Sequence, residues 1–234
     1  MSTFALVTGA SQGIGAAIAE QLATEPDLRL ALVARNLSNL DTVAERCRKA
    51  GADVTVYACD LTIEGDVQRM SEQVERDLGT PDLLVNNAGQ FVRADLLAMD
   101  HSDFQSVMDS NLTSAFLVTR HFIEAMRARK SGTIIFMGSI ASRVAFPQSG
   151  AYCVAKHALL GLARAFRAST LGSGVRITAL MPGATESPSW PAEEKGKAQL
   201  MPATDIAKAV VDIFKLSEHT VVEEIVLRPQ GGDV

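Results

Sequence analysis

Several residue types and patterns are scarce in this 234-residue chain, and each shortage argues against a class of protein. The only three cysteines, Cys47, Cys59 and Cys153, lie far apart and form no C-x-x-C pair. This spacing argues against a disulfide framework or a zinc site and favours buried thiols in a reducing compartment. The four histidines are scattered without an H-E-x-x-H motif, so no metal is predicted. No apolar run reaches the roughly 18 residues that a membrane-spanning helix needs.

Positive charge is also in short supply. The net charge is −5 and no block of Lys or Arg occurs, which argues against a nucleic-acid-binding or anionic-membrane surface. The apolar fraction of 47% and the charged fraction of 21% are typical of a globular protein. A strand-like run begins at Phe4, so we expect no signal or transit peptide and, by default, a cytoplasmic location.

Short apolar runs alternate with longer segments of helical periodicity. The predicted strands lie near residues 3–8, 28–34, 53–59, 82–86, 133–138, 174–180 and 221–227. The predicted helices lie near residues 13–25, 38–50, 63–78, 101–128, 150–171 and 203–216. Runs such as LRLALVA do not alternate, which is typical of strands covered by helices on both faces. The order predicts one α/β domain over residues 1–234, a Rossmann-type, doubly wound, seven-stranded and mostly parallel sheet with helices on both faces.

The first predicted strand runs into the glycine-rich turn TGASQGIG and then into a helix. In this context backbone N–H groups and the helix N-terminus can hold a pyrophosphate. A tight turn alone would need fewer than the three glycines present, although the spacing G-x-x-x-G-x-G differs from G-x-G-x-x-G. The predicted cofactor-binding residues of this turn are Gly9, Ser11, Gln12, Gly13, Ile14 and Gly15.

The end of the second strand bears on the choice of dinucleotide. It reads Ala34-Arg35-Asn36, with no carboxylate for a ribose 2′-hydroxyl and with a guanidinium suited to a 2′-phosphate. We therefore predict that these three residues bind NADP (NADPH) in preference to NAD. The alternative is that Arg35 is a solvated residue at a helix start.

Tyr152 and Lys156 in YCVAK are four residues apart, on one face of a predicted helix. A free tyrosine titrates near pH 10, and a nearby ammonium should lower its pKa toward a useful range for acid–base catalysis. Ser139 ends the strand TIIFMGS at the sheet edge where ligands bind in such folds. Its alternative is an ordinary capping or turn serine.

Asn111 is a polar residue on the apolar stripe of the predicted helix 101–128. A polar side chain in that position should have a definite partner. Two readings stay open: a functional asparagine, or a structural one that bonds to a neighbouring backbone.

Together these residues resemble the short-chain dehydrogenase/reductase family, of the compact single-domain type, over nearly the whole chain. The resemblance rests on TGASQGIG, Asp60 after the third strand, NNAG at 86–89, Asn111, Ser139 thirteen residues before Tyr152, YCVAK, and Pro182-Gly183. The resemblance implies an NADP-binding oxidoreductase domain. The irregular segment 184–202 would then be a short substrate lid.

The resemblance also implies roles for the matching residues. Tyr152 would protonate a carbonyl oxygen or deprotonate an alcohol, and Lys156 would hold the nicotinamide ribose and lower the tyrosine pKa. Ser139 would bond the substrate oxygen, and Asn111 would anchor a water-linked proton relay. The implied cofactor contacts are Asp60 and Leu61 at the adenine, Asn87, Ala88 and Gly89 at the adenosine ribose, and Pro182, Gly183 and Thr185 at the nicotinamide.

The leading hypothesis is an NADP(H)-dependent enzyme acting on a small-molecule carbonyl or alcohol. Its rivals are a non-catalytic NADP-binding redox sensor or scaffold, and an epimerase or dehydratase of nucleotide sugars. Candidate substrate-pocket residues are Gln90, Phe91, Ile140, Arg143, Phe146 and Trp190. The helix at 150–171 is apolar nearly all round, which predicts a homo-oligomer, a dimer in preference to a tetramer.

Overall fold

The computed structural model describes residues 3–188 and 200–232, and within them seven strands form one parallel sheet. The strands are β1 (Thr3–Thr8), β2 (Leu28–Ala34), β3 (Asp53–Ala58), β4 (Leu83–Asn86), β5 (Gly132–Met137), β6 (Val175–Pro182) and β7 (Glu224–Leu227). Their order across the sheet is β3-β2-β1-β4-β5-β6-β7, and every neighbouring pair is parallel. The predicted doubly wound α/β fold is confirmed.

Helices cover both faces of this sheet. They are α1 (Gly13–Leu22), α2 (Leu37–Lys49), α3 (Glu64–Asp77), α4 (His101–Met108), α5 (Ser114–Ala128), α6 (Gly150–Ser169) and α7 (Ala203–Lys215). Because successive side chains of a strand point to opposite faces, Ala5 and Val7 of β1 join α1, α2 and α7 in one core cluster. Phe4 and Leu6 of the same strand join α3, α5 and α6 in the other.

The strand order reverses beside β1, which lies between β2 and β4. In open α/β sheets a ligand crevice forms at such a switch point, outside the carboxyl ends of the strands. Here the hydroxyl of Thr8, at the end of β1, links this strand to the end of β4 and the loop that follows it. It donates to Val85 O at 3.2 Å and accepts from the N–H groups of Asn87 and Ala88 at 3.0 and 3.1 Å.

The segment predicted as one helix over residues 101–128 is divided. A π-helical turn, Asp109–Thr113, separates α4 from α5. Such a turn accommodates an extra residue and is frequent at functional sites. At its centre, Asn111 is fully buried, with an exposed fraction of 0%.

Two further sequence predictions concern the substrate lid and membrane-spanning helices. Most of the predicted lid, residues 184–202, lies outside the described residues, which include only 184–188 and 200–202 of it. Among the residues that the structure describes, every helix is too short or too polar to cross a membrane.

Candidate active site

One cleft of about 1010 Å³ opens at the carboxyl edge of the sheet, over the switch point. It is large for a ligand pocket, since typical volumes run from about 300 to 1,000 Å³. All the residues predicted to be catalytic or cofactor-binding line it. They are Gly9, Ser11, Gln12, Gly13, Ile14, Gly15, Ala34, Arg35, Asn36, Asp60, Leu61, Asn87, Ala88, Gly89, Asn111, Ser139, Tyr152, Lys156, Pro182, Gly183 and Thr185. The fold therefore brings residues from every part of the sequence pattern to one place.

The glycine-rich turn packs backbone against backbone at one end of the cleft. Gly9 has a φ of +64°, and a Cβ atom there would lie 2.8 Å from Ala88 Cα. A Cβ at Gly15 would lie only 2.2 Å from the carbonyl oxygen of Gly9. Helix α1 begins at Gly13 without a side-chain cap from Gln12, so its first N–H groups are available to an anion. The turn therefore has the form of a phosphate-binding site.

The adjoining part of the cleft contains Arg35 and Asp60. Arg35 is exposed at the end of β2 and forms no salt bridge with any residue that the structure describes. Asp60 accepts hydrogen bonds from the hydroxyl and the N–H of Thr62 at 2.7 and 3.0 Å. These bonds, with the positive charge of Arg35, hold the pKa of Asp60 below its usual range.

The other end of the cleft joins α6 to the end of β5. Lys156 is buried, with its Nζ atom 5.6 Å from the centroid of the Tyr152 ring and 2.9 Å from Met137 O. The Ser139 side chain hydrogen-bonds to Tyr152, and its oxygen also accepts from the N–H of Ala141 at 3.1 Å. Tyr152 and Ser139 therefore present their hydroxyl groups together at the cleft wall.

Burial changes the proton affinity of both groups on α6. It raises the pKa of Tyr152 to about 12, against the opposing effect of the Ser139 hydrogen bond. It lowers the pKa of Lys156 to about 8. The tyrosine pKa of the chain by itself is therefore raised, whereas the sequence predicted a lowered one, and the contribution of Lys156 to it stays a prediction. Removal from water disfavours the phenolate more than the neighbouring groups favour it.

Asn111 has partners for its amide nitrogen but not for its amide oxygen. Nδ2 donates to Gln90 O at 2.9 Å and to Val107 O at 3.0 Å. Oδ1 is buried and has no hydrogen-bond partner. A Cβ on Gly89 would lie 2.6 Å from this oxygen and 3.5 Å from Lys156 Nζ, so only glycine fits between the two groups. The amide nitrogen of Asn111 thus holds neighbouring backbone in place, whereas its oxygen is an unused acceptor on the side of Lys156.

Some residues of the cleft were missed by the sequence patterns, and one candidate falls elsewhere. Further lining residues are Asn39, Cys59, Thr62, Ser110, Ser114, Met137, Gly138, Gln148, Ser149 and Pro188. Most come from loops that carry no recognisable sequence pattern. Arg143 lies outside the cleft and pairs with Glu224. Of the remaining substrate candidates, Trp190 lies outside the described residues.

Metal ligands do not gather in this cleft or elsewhere in the part of the chain that the structure describes. No group of three or more His, Cys, Asp and Glu side chains there could hold a metal ion. Cys47, Cys59 and Cys153 are all buried free thiols.

Comparison with known proteins gives consistent matches over almost the full length. Residues 3–198 match the family model described as short chain dehydrogenase. The chain is 35% identical to sepiapterin reductase of Chlorobaculum tepidum, over 100% of this chain and 99% of that protein. The alcohol dehydrogenase of the archaeon Thermococcus sibiricus, solved with 5-hydroxy-NADP, matches with a TM-score of 0.88 and 29% identity over 97% of both chains. L-sorbose reductase of Gluconobacter frateurii, solved with NADPH and L-sorbose, matches with a TM-score of 0.91 and 25% identity over 97% of this chain and 95% of that one.

Proposed function

The chain belongs to the short-chain dehydrogenase family of oxidoreductases, and from this premise we propose that it transfers a hydride between NADP(H) and a carbonyl or secondary alcohol. The observation that carries the proposal is the meeting of Ser139, Tyr152 and Lys156 in the same cleft as the glycine-rich turn. Solved relatives that contain NADP, NADPH or a ketose substrate support it.

The residues of the cleft fit a dinucleotide. The close approach of Gly9 and Gly15 to neighbouring backbone leaves the N–H groups at the start of α1 open to a pyrophosphate. In this proposal Arg35 would bind a 2′-phosphate and Lys156 would hold a ribose hydroxyl, which is supported by the presence of both residues in the cleft lining. When bound, NADPH supplies the hydride.

The chain's own contribution is proton transfer and orientation. With a pKa of about 12, Tyr152 is protonated at neutral pH and can donate its proton to the oxygen of a carbonyl that gains negative charge. Ser139, bonded to Tyr152, would hold the same oxygen. Asn111 Oδ1 would accept a hydrogen bond from a water and hold it near Lys156, and that water would return the proton.

A substrate panel tests the reaction class directly. Purified protein with NADPH should reduce at least one carbonyl among keto-esters, sugars including L-sorbose, sepiapterin, ketosteroids and quinones, as followed by NADPH absorbance. No turnover with any of them would favour a non-catalytic sensor or scaffold. We do not favour that alternative, since the full-length relative is named as a reductase.

Replacing Arg35 with alanine should reduce the preference for NADPH over NADH by between about tenfold and a hundredfold. The reason is the loss of one charge-assisted contact to the 2′-phosphate, which NADH lacks. Dissociation constants for both dinucleotides, measured by fluorescence, provide the check. Arg46→Ala, in the last turn of α2 and paired with Glu20, removes an equal charge and should not change the preference. An unchanged NADPH affinity in Arg35→Ala would contradict the cofactor proposal.

We also propose that residues 1–234 act as one cytoplasmic domain that assembles into a homo-oligomer through α5 and α6. The three free buried thiols suit a reducing compartment. Phe116 on α5 and Val154 on α6 are large apolar residues with exposed fractions of 36% and 41%. Sedimentation velocity should therefore give a multiple of the single-chain mass, and Val154→Glu should reduce it. A monomer at all concentrations would refute the assembly.

A further inference from the structure

We propose that Phe91 is a positioning residue that holds the Tyr152 ring, and that it forms the wall against which the substituent of the carbonyl substrate packs. This inference rests on the proposed function and adds to it a residue that decides which carbonyl is accepted. Phe91 lies in the loop after β4, lines the cleft and is 36% exposed.

The first line of support is the contact between the two rings. Their centroids are 5.0 Å apart and their planes meet at 87°, the edge-to-face geometry that aromatic pairs favour. Lys156 Nζ lies 5.6 Å from the Tyr152 centroid, and Ser139 bonds the phenol. Phe91 is therefore the aromatic member of a set of three contacts that orient the Tyr152 side chain.

The second line of support is the way the loop itself is held. Just before Phe91, the carbonyl of Gln90 accepts from Asn111 Nδ2 at 2.9 Å. Three residues later, the N–H of Ala94 donates to Gln148 O at 3.0 Å, as part of a bridge to Ser149. The backbone on both sides of Phe91 is thus tied to the helix of Asn111 and to the segment that precedes α6. A loop fixed at both ends can keep the ring in one place.

The third line of support is the arrangement of apolar surface around Tyr152. The guanidinium of Arg93 lies 5.8 Å from the centroid of the Phe91 ring and adds a further contact to it. Phe146, half-buried, lines the same cleft from the segment that the Ala94–Ser149 bridge joins to this loop. An aromatic ring against Tyr152 and a second one in the same cleft favour a carbonyl with a flat, unsaturated substituent over a small aliphatic one.

A tyrosine titration tests the positioning role without depending on turnover. The chain has only two tyrosines, so the absorbance of tyrosinate in Tyr152→Phe gives the Tyr57 curve for subtraction. Opening the phenol to water in Phe91→Ala should lower the Tyr152 pKa from about 12 by at least about one unit, toward its value near 10 in water. Circular dichroism at each pH shows whether the fold is retained.

Steady-state kinetics test the substrate wall. Phe91→Ala should lower kcat by up to about tenfold, the equivalent of one aromatic pair, with the KM for NADPH unchanged. It should also lower the ratio of kcat/KM for acetophenone to that for 2-butanone. Phe91→Tyr, which keeps a ring, should restore both values, whereas Phe91→Leu should restore neither fully.

Phe214 on α7 provides a matched control, since it is also a partly exposed phenylalanine, and it lies outside both the cleft and the proposed assembly surface of α5 and α6. Phe214→Ala should keep the wild-type titration, kcat and substrate ratio. Equal changes in Phe214→Ala and Phe91→Ala would overturn the inference. The inference would also fail if Phe91→Ala kept the wild-type titration and kinetics while Tyr152→Phe lost activity. That second outcome would leave the proposed function intact. If the wild type reduces no carbonyl, the proposed function fails, and the titration still decides the positioning role.

Discussion

Tyr152→Phe should lower kcat/KM for carbonyl reduction by about 10²–10⁴-fold, the range expected for loss of a general acid. The phenol is the group with a transferable proton that Ser139 and Lys156 position at the cleft wall. Removing only its oxygen leaves the ring contact with Phe91 in place. The loss should therefore appear in kcat, while the dissociation constant for NADPH stays within about twofold of the wild type.

Tyr57→Phe is the matched control for this substitution, because Tyr57 is the only other tyrosine. Its hydroxyl donates to Asp77 at 3.0 Å, and burial and that carboxylate raise its pKa. Loss of that hydrogen bond should lower the free energy of unfolding by about 1 kcal/mol without changing turnover. Equal kcat/KM in Tyr152→Phe and the wild type would refute the assigned mechanism.

Lys156→Met should produce an enzyme that is more stable than the wild type and almost inactive. Lys156 is 4% exposed, and burial lowers its pKa from 10.5 to about 8. At pH 7 this shift corresponds to a cost of about 3 kcal/mol for keeping the buried ammonium charged. Loss of the bond to Met137 O offsets part of the gain, so we expect the free energy of unfolding to rise by about 1–3 kcal/mol.

The stability gain should depend on pH with a definite sign. Below pH 8 Lys156 is protonated in both the folded and the unfolded states, and the full free-energy cost of burying its charge then lowers the stability of the folded state. Between pH 8 and 10.5 folded Lys156 has lost its proton while the unfolded chain still binds one, so wild-type stability rises with pH. The difference between Lys156→Met and the wild type should therefore be largest near pH 7 and should vanish above pH 10.5.

Urea unfolding at several pH values measures this difference, and Lys208→Met is its control. Lys208 lies on α7 with a side chain that is 61% exposed, so its replacement should change stability by less than about 0.5 kcal/mol at every pH. In activity assays Lys156→Met should lose about a hundredfold or more in kcat/KM. A less stable Lys156→Met protein at pH 7 would show that the lysine supports the fold, contrary to this reading.

The sequence alone was sufficient for the sheet architecture and for the motif residues that meet in the cleft. Continuous apolar runs predicted the seven strands, because a strand covered on both faces has no polar side. Residues that follow parallel strands meet at one sheet edge, so the ordered motifs already placed the glycine-rich turn near Ser139 and Tyr152. Both inferences depend on local spacing and on chain order, which a sequence contains.

Other features depended on the tertiary structure because they arise from groups that are distant in the chain. The spacing of apolar residues over 101–128 fits one continuous helix, so this pattern does not predict the π-helical turn at Asn111. The direction of the Tyr152 pKa shift depends on the effect of burial, which raises the pKa, and on the hydrogen bond to Ser139, which lowers it. From the four-residue spacing to Lys156 the sequence predicted a lowered pKa, opposite to the direction found. The contact of Phe91 with Tyr152 joins residues 61 positions apart. Sequence therefore determined which chemical groups reach the cleft, whereas folding decided their distances, their burial and hence their proton affinities.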